Sequence, residues 1–100
     1  MVVRRLRNVA QEIQKLVEAE ATGLETNSHG WHFRPCLLSV PEPCELKDNS
    51  GASYQIWVVL RELENGYCVV FDPDEMEFGL ASGGVVISFY GSFVETLNAM

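Results

Sequence analysis

Apolar side chains recur in steps of four and three at the start of the chain, at Val2, Leu6, Val9, Ile13 and Leu16, with Val3, Ala10 and Val17 forming a second row seven apart. That spacing makes one wide apolar stripe on a helix of 3.6 residues per turn and predicts a helix over about 2–22. Gly23 is placed to end it in the left-handed conformation, with Leu24 folding back on the last turn. From Trp31 onward the period changes to two. Strands are expected at about 31–40, 54–64, 67–72, 76–82 and 85–90, and Glu42 to Ser53 reads as a polar loop.

Turn chemistry fixes an expected pairing. Asn65-Gly66 suits a two-residue type I′ hairpin, which sets Glu64 opposite Tyr67 and Leu60 opposite Phe71. Val58, Leu60, Val69 and Phe71 then share one face, and Trp57, Val59, Leu63, Cys68 and Val70 the other. Both faces are apolar at mid-strand, so each is partly covered. Pro73 suits the second position of a type I turn that the Asp72 side chain caps. A two-residue turn at Gly83-Gly84 sets Leu80 against Ile87 and Phe78 against Phe89. The segment GSFVETLNAM opens with Ser92 and has Glu95 three residues later, a capping box that predicts a short helix over about 92–99 burying Phe93, Val94, Leu97 and Met100.

The expected fold is therefore α+β: an antiparallel meander of about five strands with the N-terminal and C-terminal helices packed on one face. With 100 residues, 47% of them hydrophobic and 21% charged, a single domain spanning 1–100 is expected. At this size a core forms with little margin, roughly 60–70% of the unfolded chain's surface being buried.

Charge narrows the partners. A formal net charge of -7 repels phosphate backbones, because Lys and Arg supply most non-specific nucleic-acid affinity. Nucleic acid and membrane surfaces are thus excluded as expected partners, and a basic protein is favoured. No apolar run, IWVVL at 56–60 included, approaches the ~20 residues that cross a bilayer. Neither is a signal peptide expected, since no apolar segment follows the early arginines. Three cysteines cannot all pair within the chain, which reads as reduced thiols in the cytoplasm. Arg4, Arg5 and Arg7 crowd the positive end of the first helix dipole while Glu18 and Glu20 sit at its negative end, each misplacement costing about 0.3–1 kcal/mol. An antiparallel second copy would pair these groups, which suggests a homodimer through the N-terminal helix.

The stretch SHGWHFRPCLLSVPEPC gathers His29, His32, Cys36 and Cys44, four residue types that zinc selects. On a regular strand, however, His32 and Cys36 lie about 13 Å apart at about 3.3 Å per residue. Ligands sharing one zinc stay within about 4 Å of each other. A zinc site here requires the segment to bend at Gly30, Pro35 and the 41–43 prolines, and it stands as the alternative reading. The preferred one makes Cys36 and Cys68 small buried side chains, leaves Cys44 in a loop and puts both histidines at the start of an edge strand. The acids Asp72, Asp74, Glu75 and Glu77 depart from a calcium loop, lacking its glycine and terminal glutamate, and read as a turn able to face a basic partner. Phosphate-loop, dinucleotide and hydrolase signatures are lacking, so catalysis is not expected.

Trp31, Trp57, Tyr67 and Tyr90 exceed what the helix-covered face requires, and such amphipathic rings make partner platforms. The sequence thus predicts a non-catalytic, acidic cytoplasmic module that engages a protein partner through Trp31, Trp57, Tyr67, Asp72, Asp74, Glu75, Glu77 and Tyr90. An immunity-like inhibitor that blocks a basic toxin would have this size and charge.

Overall fold

The computed structural model describes Val2–Met100, with side chains described from Asn8 onward. Its elements follow in the order α1 (Val2–Ala21), a 3-10 turn (Arg34–Cys36), β1 (Leu37–Lys47), β2 (Ser53–Glu62), β3 (Tyr67–Asp72), β4 (Glu77–Ser82), β5 (Val85–Gly91) and α2 (Phe93–Asn98). This is the expected α+β order of helix, five-stranded antiparallel meander and short helix. The meander curls further than expected and closes into a barrel, through a parallel bridge that sets Lys47 of β1 against Val85 of β5.

Closure gives the sheet two cores. Under the helices, Ala10, Ile13, Val17 and Ala21 of α1 and Phe93 and Leu97 of α2 pack on Trp57, Val59, Leu60, Val69, Phe71 and Phe78. Inside the curl, Ile56, Val58, Val70 and Ala81 form a second cluster with Leu38, Cys44, Leu46, Tyr54 and Cys68. Residues 56–60 are therefore all buried, because both faces of β2 are covered, as its two-sided apolar pattern implied. Four phenyl rings tie the helices to the sheet. Phe33 and Phe78 each meet Phe93 edge-on at 6.0 and 5.6 Å, and Phe78 meets Phe71 at 4.7 Å, distances at which ring quadrupoles attract.

On α1 the buried row is Ala10, Ile13, Val17 and Ala21, which combines Ala10 and Val17 of the flanking row with Ile13 of the main stripe and extends to Ala21. Leu16 is exposed. Alanine at both ends of the row lets the helix backbone approach the barrel closely. The stripe residues Val2, Val3 and Leu6, and the arginines Arg4, Arg5 and Arg7, have side chains outside the described residues.

The first strand is not 31–40 but Leu37–Lys47. Residues 31–33 are irregular and Arg34–Cys36 form the 3-10 turn opened by Pro35. The expected loop from Glu42 shrinks to residues 48–52. Pro41 and Pro43 suggested a loop because proline donates nothing to a ladder, but β1 bulges around Pro41 and keeps Pro43 in register opposite Trp57. Its pairing with β2 shifts between Leu37 and Glu42.

The β2–β3 pairing also differs from the expected one. Glu62, not Glu64, faces Tyr67, and Leu60 faces Val69; a bulge at Val59 then sets Trp57, not Leu60, opposite Phe71. The bulge moves Trp57 and Val59 to the helix side and Val58 to the barrel interior. Glu62 rather than Glu64 faces Tyr67 because residues 63–66 close on Glu62 in the turn: its carboxylate accepts the N–H groups of Glu64 and Asn65 at 2.6 and 2.9 Å. Gly66, at φ +78°, donates to the Glu62 carbonyl at 3.1 Å. A buried carboxylate taking two backbone N–H groups outweighs the two-residue preference of Asn-Gly.

Gly83-Gly84 does form the expected tight turn, with Ser82 opposite Val85 and Ala81 opposite Val86. Beyond it two bulges in β5 set Leu80 opposite Ser88, Gly79 opposite Phe89 and Phe78 opposite Gly91. The expected pairs Leu80–Ile87 and Phe78–Phe89 do not form. Ile87 is exposed, and Phe89 lies over Gly79 against Tyr54, 5.7 Å between rings, on the side of β4 opposite Phe78. Bulges increase twist and curvature, which is what closes five strands into a barrel and what a flat-sheet register leaves out.

Candidate functional site

Loop 27–31 is built around Asn27, a buried polar residue that sequence reasoning passed over. Its side-chain nitrogen donates to the Leu97 carbonyl of α2 at 3.0 Å, and its side-chain oxygen accepts the N–H groups of His29 and Trp31 at 2.9 and 3.0 Å. The backbones of Asn27 and Trp31 pair as well, at 3.0 Å, and Gly30 makes the bend at φ +82°. His29 Nε2 lies 3.0 Å from the Asn98 carbonyl. A carbonyl only accepts, so this nitrogen carries the proton and donates. Ser28 N–H donates to the Asn98 side chain at 2.8 Å. The whole loop is thus pinned to the C-terminal end of α2.

This pinning holds Trp31 beside the β2–β3 turn. Between them runs a groove of about 180 Å³ walled by His29, Trp31, Glu62, Glu64, Asn65, Tyr67 and Met100, with Asn27 beneath. Trp31 and Tyr67 are both half-buried. Glu62 is buried and its carboxylate is committed to the turn, whereas the Glu64 side chain is exposed and makes no ion pair among the described residues. No lysine or arginine of the described residues lines the groove. Two other hollows, of about 240 Å³ each, lie between loop 24–28 and α2 and beside α1 at Val40. All three fall below the ~300–1,000 Å³ of pockets that enclose small ligands.

Two expected platform residues, Trp31 and Tyr67, therefore come together. The others do not join them. Trp57 is 7% exposed and belongs to the core beneath α1, a correction that follows from the bulge at Val59. Asp72 is buried, and its carboxylate accepts Asp74 N–H at 2.9 Å, capping its turn as expected. Asp74 and Glu75 stand exposed at the tip of that turn and Glu77 is half-buried beside it. Tyr90 follows at the same end, since Asp72 faces Glu77 and Phe78 faces Gly91. The acidic hairpin lies at the far end of β3 from Tyr67, about 17 Å away at about 3.3 Å per residue.

The His/Cys segment does bend, at the turn before β1, yet no three His, Cys, Asp or Glu side chains converge as metal ligands among the described residues. His29 is tied to α2, Cys36 packs beside the helix-covered core, and Cys44 is not in a loop but on β1, packed on the barrel's inner cluster with Cys68. The zinc set His29, His32, Cys36 and Cys44 is thus dispersed. All three thiols are free. Burial pushes the Cys36 thiol above its ordinary range, and the charges of Glu62 and Glu64 add to the shift. Burial likewise raises Cys68, against a smaller opposing pull from Arg61. Neutral, half-covered thiols are poor nucleophiles.

Of the two acids read as misplaced at the C-terminal end of α1, Glu20 finds partners within the chain, and Glu18 stands exposed. Arg34 donates to the Ala21 and Leu24 carbonyls at 2.5 and 2.7 Å, placing a cation where the dipole is negative. Glu20 accepts N–H groups at the start of α2. No helix of the described residues is long and apolar enough to cross a membrane.

Comparison with protein-family models, with curated proteins and with solved structures finds no match for this chain.

Proposed function

We propose that this protein is a non-catalytic cytoplasmic module that engages a protein partner at the groove between Trp31 and Tyr67. The observation that carries the reading is the groove's construction. Two half-buried aromatic rings form its walls, held from behind by Asn27 and Glu62, whose side chains are already hydrogen-bonded to backbone. Amphipathic rings in a preformed hollow are what binding hot spots use, and rigidity lowers the ordering cost of association. His29 Nε2 is likewise engaged by a carbonyl, so the groove offers a recognition surface rather than a mobile acid–base pair. Its volume suits one inserted side chain better than an enclosed metabolite. Three free cysteines support a reducing compartment, and the acidic surface disfavours nucleic acid.

A photo-crosslinking residue placed at Asn65 tests this. The reading expects capture of a discrete protein from the native host cell, lost in both Trp31→Ala and Tyr67→Ala, with no such product from the same group at Met76 on the opposite hairpin. Capture that ignores both aromatic substitutions would overturn it.

A further inference from the structure

We propose that the groove receives the guanidinium of an arginine presented by a basic segment of the partner. This rests on the reading above and adds the chemistry of the anchor. Among the described residues the lining has two side-chain carboxylates, Glu62 and Glu64, and no lysine or arginine, within a chain of net charge -7. Glu62 is buried with both oxygens engaged by the turn N–H groups of Glu64 and Asn65, which leaves the exposed Glu64 as the carboxylate accessible to a ligand. Trp31 and Tyr67 present ring surface to the same hollow, and aromatic faces attract cations through their quadrupole.

Among cations, the guanidinium fits this lining best. It is flat and weakly hydrated, stacks on aromatic rings, and forks onto a carboxylate in its own plane. An ammonium is a compact, strongly hydrated point charge that gains less from two ring walls. The acidic hairpin, Asp74, Glu75 and Glu77, lines none of the three hollows described above and serves only to raise the local concentration of a basic partner.

The probe is the peptide acetyl-Gly-Gly-Arg-Gly-Gly-amide, titrated into the intact protein while the indole N–H of Trp31 and the amides of Glu64 and Tyr67 are followed by NMR. Saturable shifts centred on these groups are expected. The same peptide with citrulline, which keeps the shape and loses the charge, should bind at least about fivefold more weakly. A lysine version should fall between the two. Glu64→Gln, on an exposed turn that leaves the fold intact, should weaken the arginine peptide by about threefold, and Trp31→Ala should weaken it further. Asp74→Asn with Glu75→Gln should leave the saturating shifts in place.

Equal binding of arginine and citrulline peptides, shifts centred on residues 73–76, or no saturable shift at Trp31 would each overturn the proposal. The citrulline comparison needs no variant, so misfolding does not cloud it. If crosslinking at Asn65 depends on Trp31 and Tyr67 while the arginine peptide fails, the anchor chemistry falls and the groove remains the partner site. If both fail, both readings fall.

Discussion

The carboxylate of Glu20, at the end of α1, accepts the N–H groups of Phe93 and Val94 at 3.1 and 3.2 Å. Seventy-three residues apart in sequence, Glu20 and Phe93 meet because a helix start has N–H groups without intrahelical partners. Ser92 satisfies the next one, at Glu95, at 3.0 Å. Glu20→Ala is expected to destabilise the fold by about 1–2 kcal/mol, through lost charge-assisted bonds at a helix N-terminus. Urea denaturation should show the midpoint falling with the slope unchanged. An unaltered midpoint would mean water replaces the carboxylate without cost.

Asn27 gives a prediction about the site. Asn27→Ala leaves the Leu97 carbonyl and the His29 and Trp31 N–H groups without their side-chain partner, at a cost of about 1–3 kcal/mol. Loop 27–31 should loosen before the barrel does. Hydrogen exchange at the His29 and Trp31 amides should rise by more than at Val69 and Val70 in the core.

Gly79 tests barrel closure. A Cβ there would sit 2.7 Å from the Phe89 ring and 2.8 Å from the Ser88 carbonyl. Gly79→Ala should therefore cost roughly 1–3 kcal/mol, the range for forcing atoms into packed space. Added to a Phe89→Ala background, the same change should cost less, because the ring contact is gone while the carbonyl contact remains. A double-mutant cycle in urea reads the coupling directly.

Asp48 sets the pH response of the β1–β2 loop. Its carboxylate accepts from the Ser50 hydroxyl at 2.6 Å and from Ser50 and Ala52 N–H, and its other oxygen takes the Tyr54 hydroxyl at 3.0 Å. The Ser50 hydroxyl bond leads these effects in holding the Asp48 carboxyl below its ordinary range, while the bond to Asp48 raises Tyr54. A depressed carboxyl contributes stability above its unfolded pKa, and that contribution is lost as pH falls through the folded value. Asp48→Asn should thus destabilise at pH 7 and cost progressively less as the acid is titrated below about pH 4. The raised Tyr54 works with the opposite sign, its contribution fading as pH climbs past about 10. Stability measured across pH for wild type and variant checks both limbs.

Periodicity made the elements legible, and local hydrogen bonds set what it missed. Steps of four and three announced α1, alternation announced β2 to β5, and the Ser92–Glu95 spacing announced α2; each rests on side chains whose neighbours are close in sequence. Gly83-Gly84 gave its turn for the same reason. The register failed wherever a demand outside the turn rules intervened. Glu62 is four residues from Gly66 and nothing in a two-residue turn rule includes its carboxylate, so the β2–β3 pairing slid. Bulges at Val59 and in β5 answer to barrel curvature, a property of all five strands together. Of the candidate site, Trp31 and Tyr67 were visible as surplus aromatics. Asn27 and Glu62, which position them, carried no such signal: Leu97, the partner of Asn27, is seventy residues away in sequence, and Glu62 fell inside the expected strand 54–64.

The most direct test is an amide and indole shift map of the protein bound to the partner captured through Asn65. The groove account predicts the largest changes at the Trp31 indole N–H and the Glu64 and Tyr67 amides. Changes concentrated on α1 or on residues 73–76, with Trp31 unmoved, would contradict it.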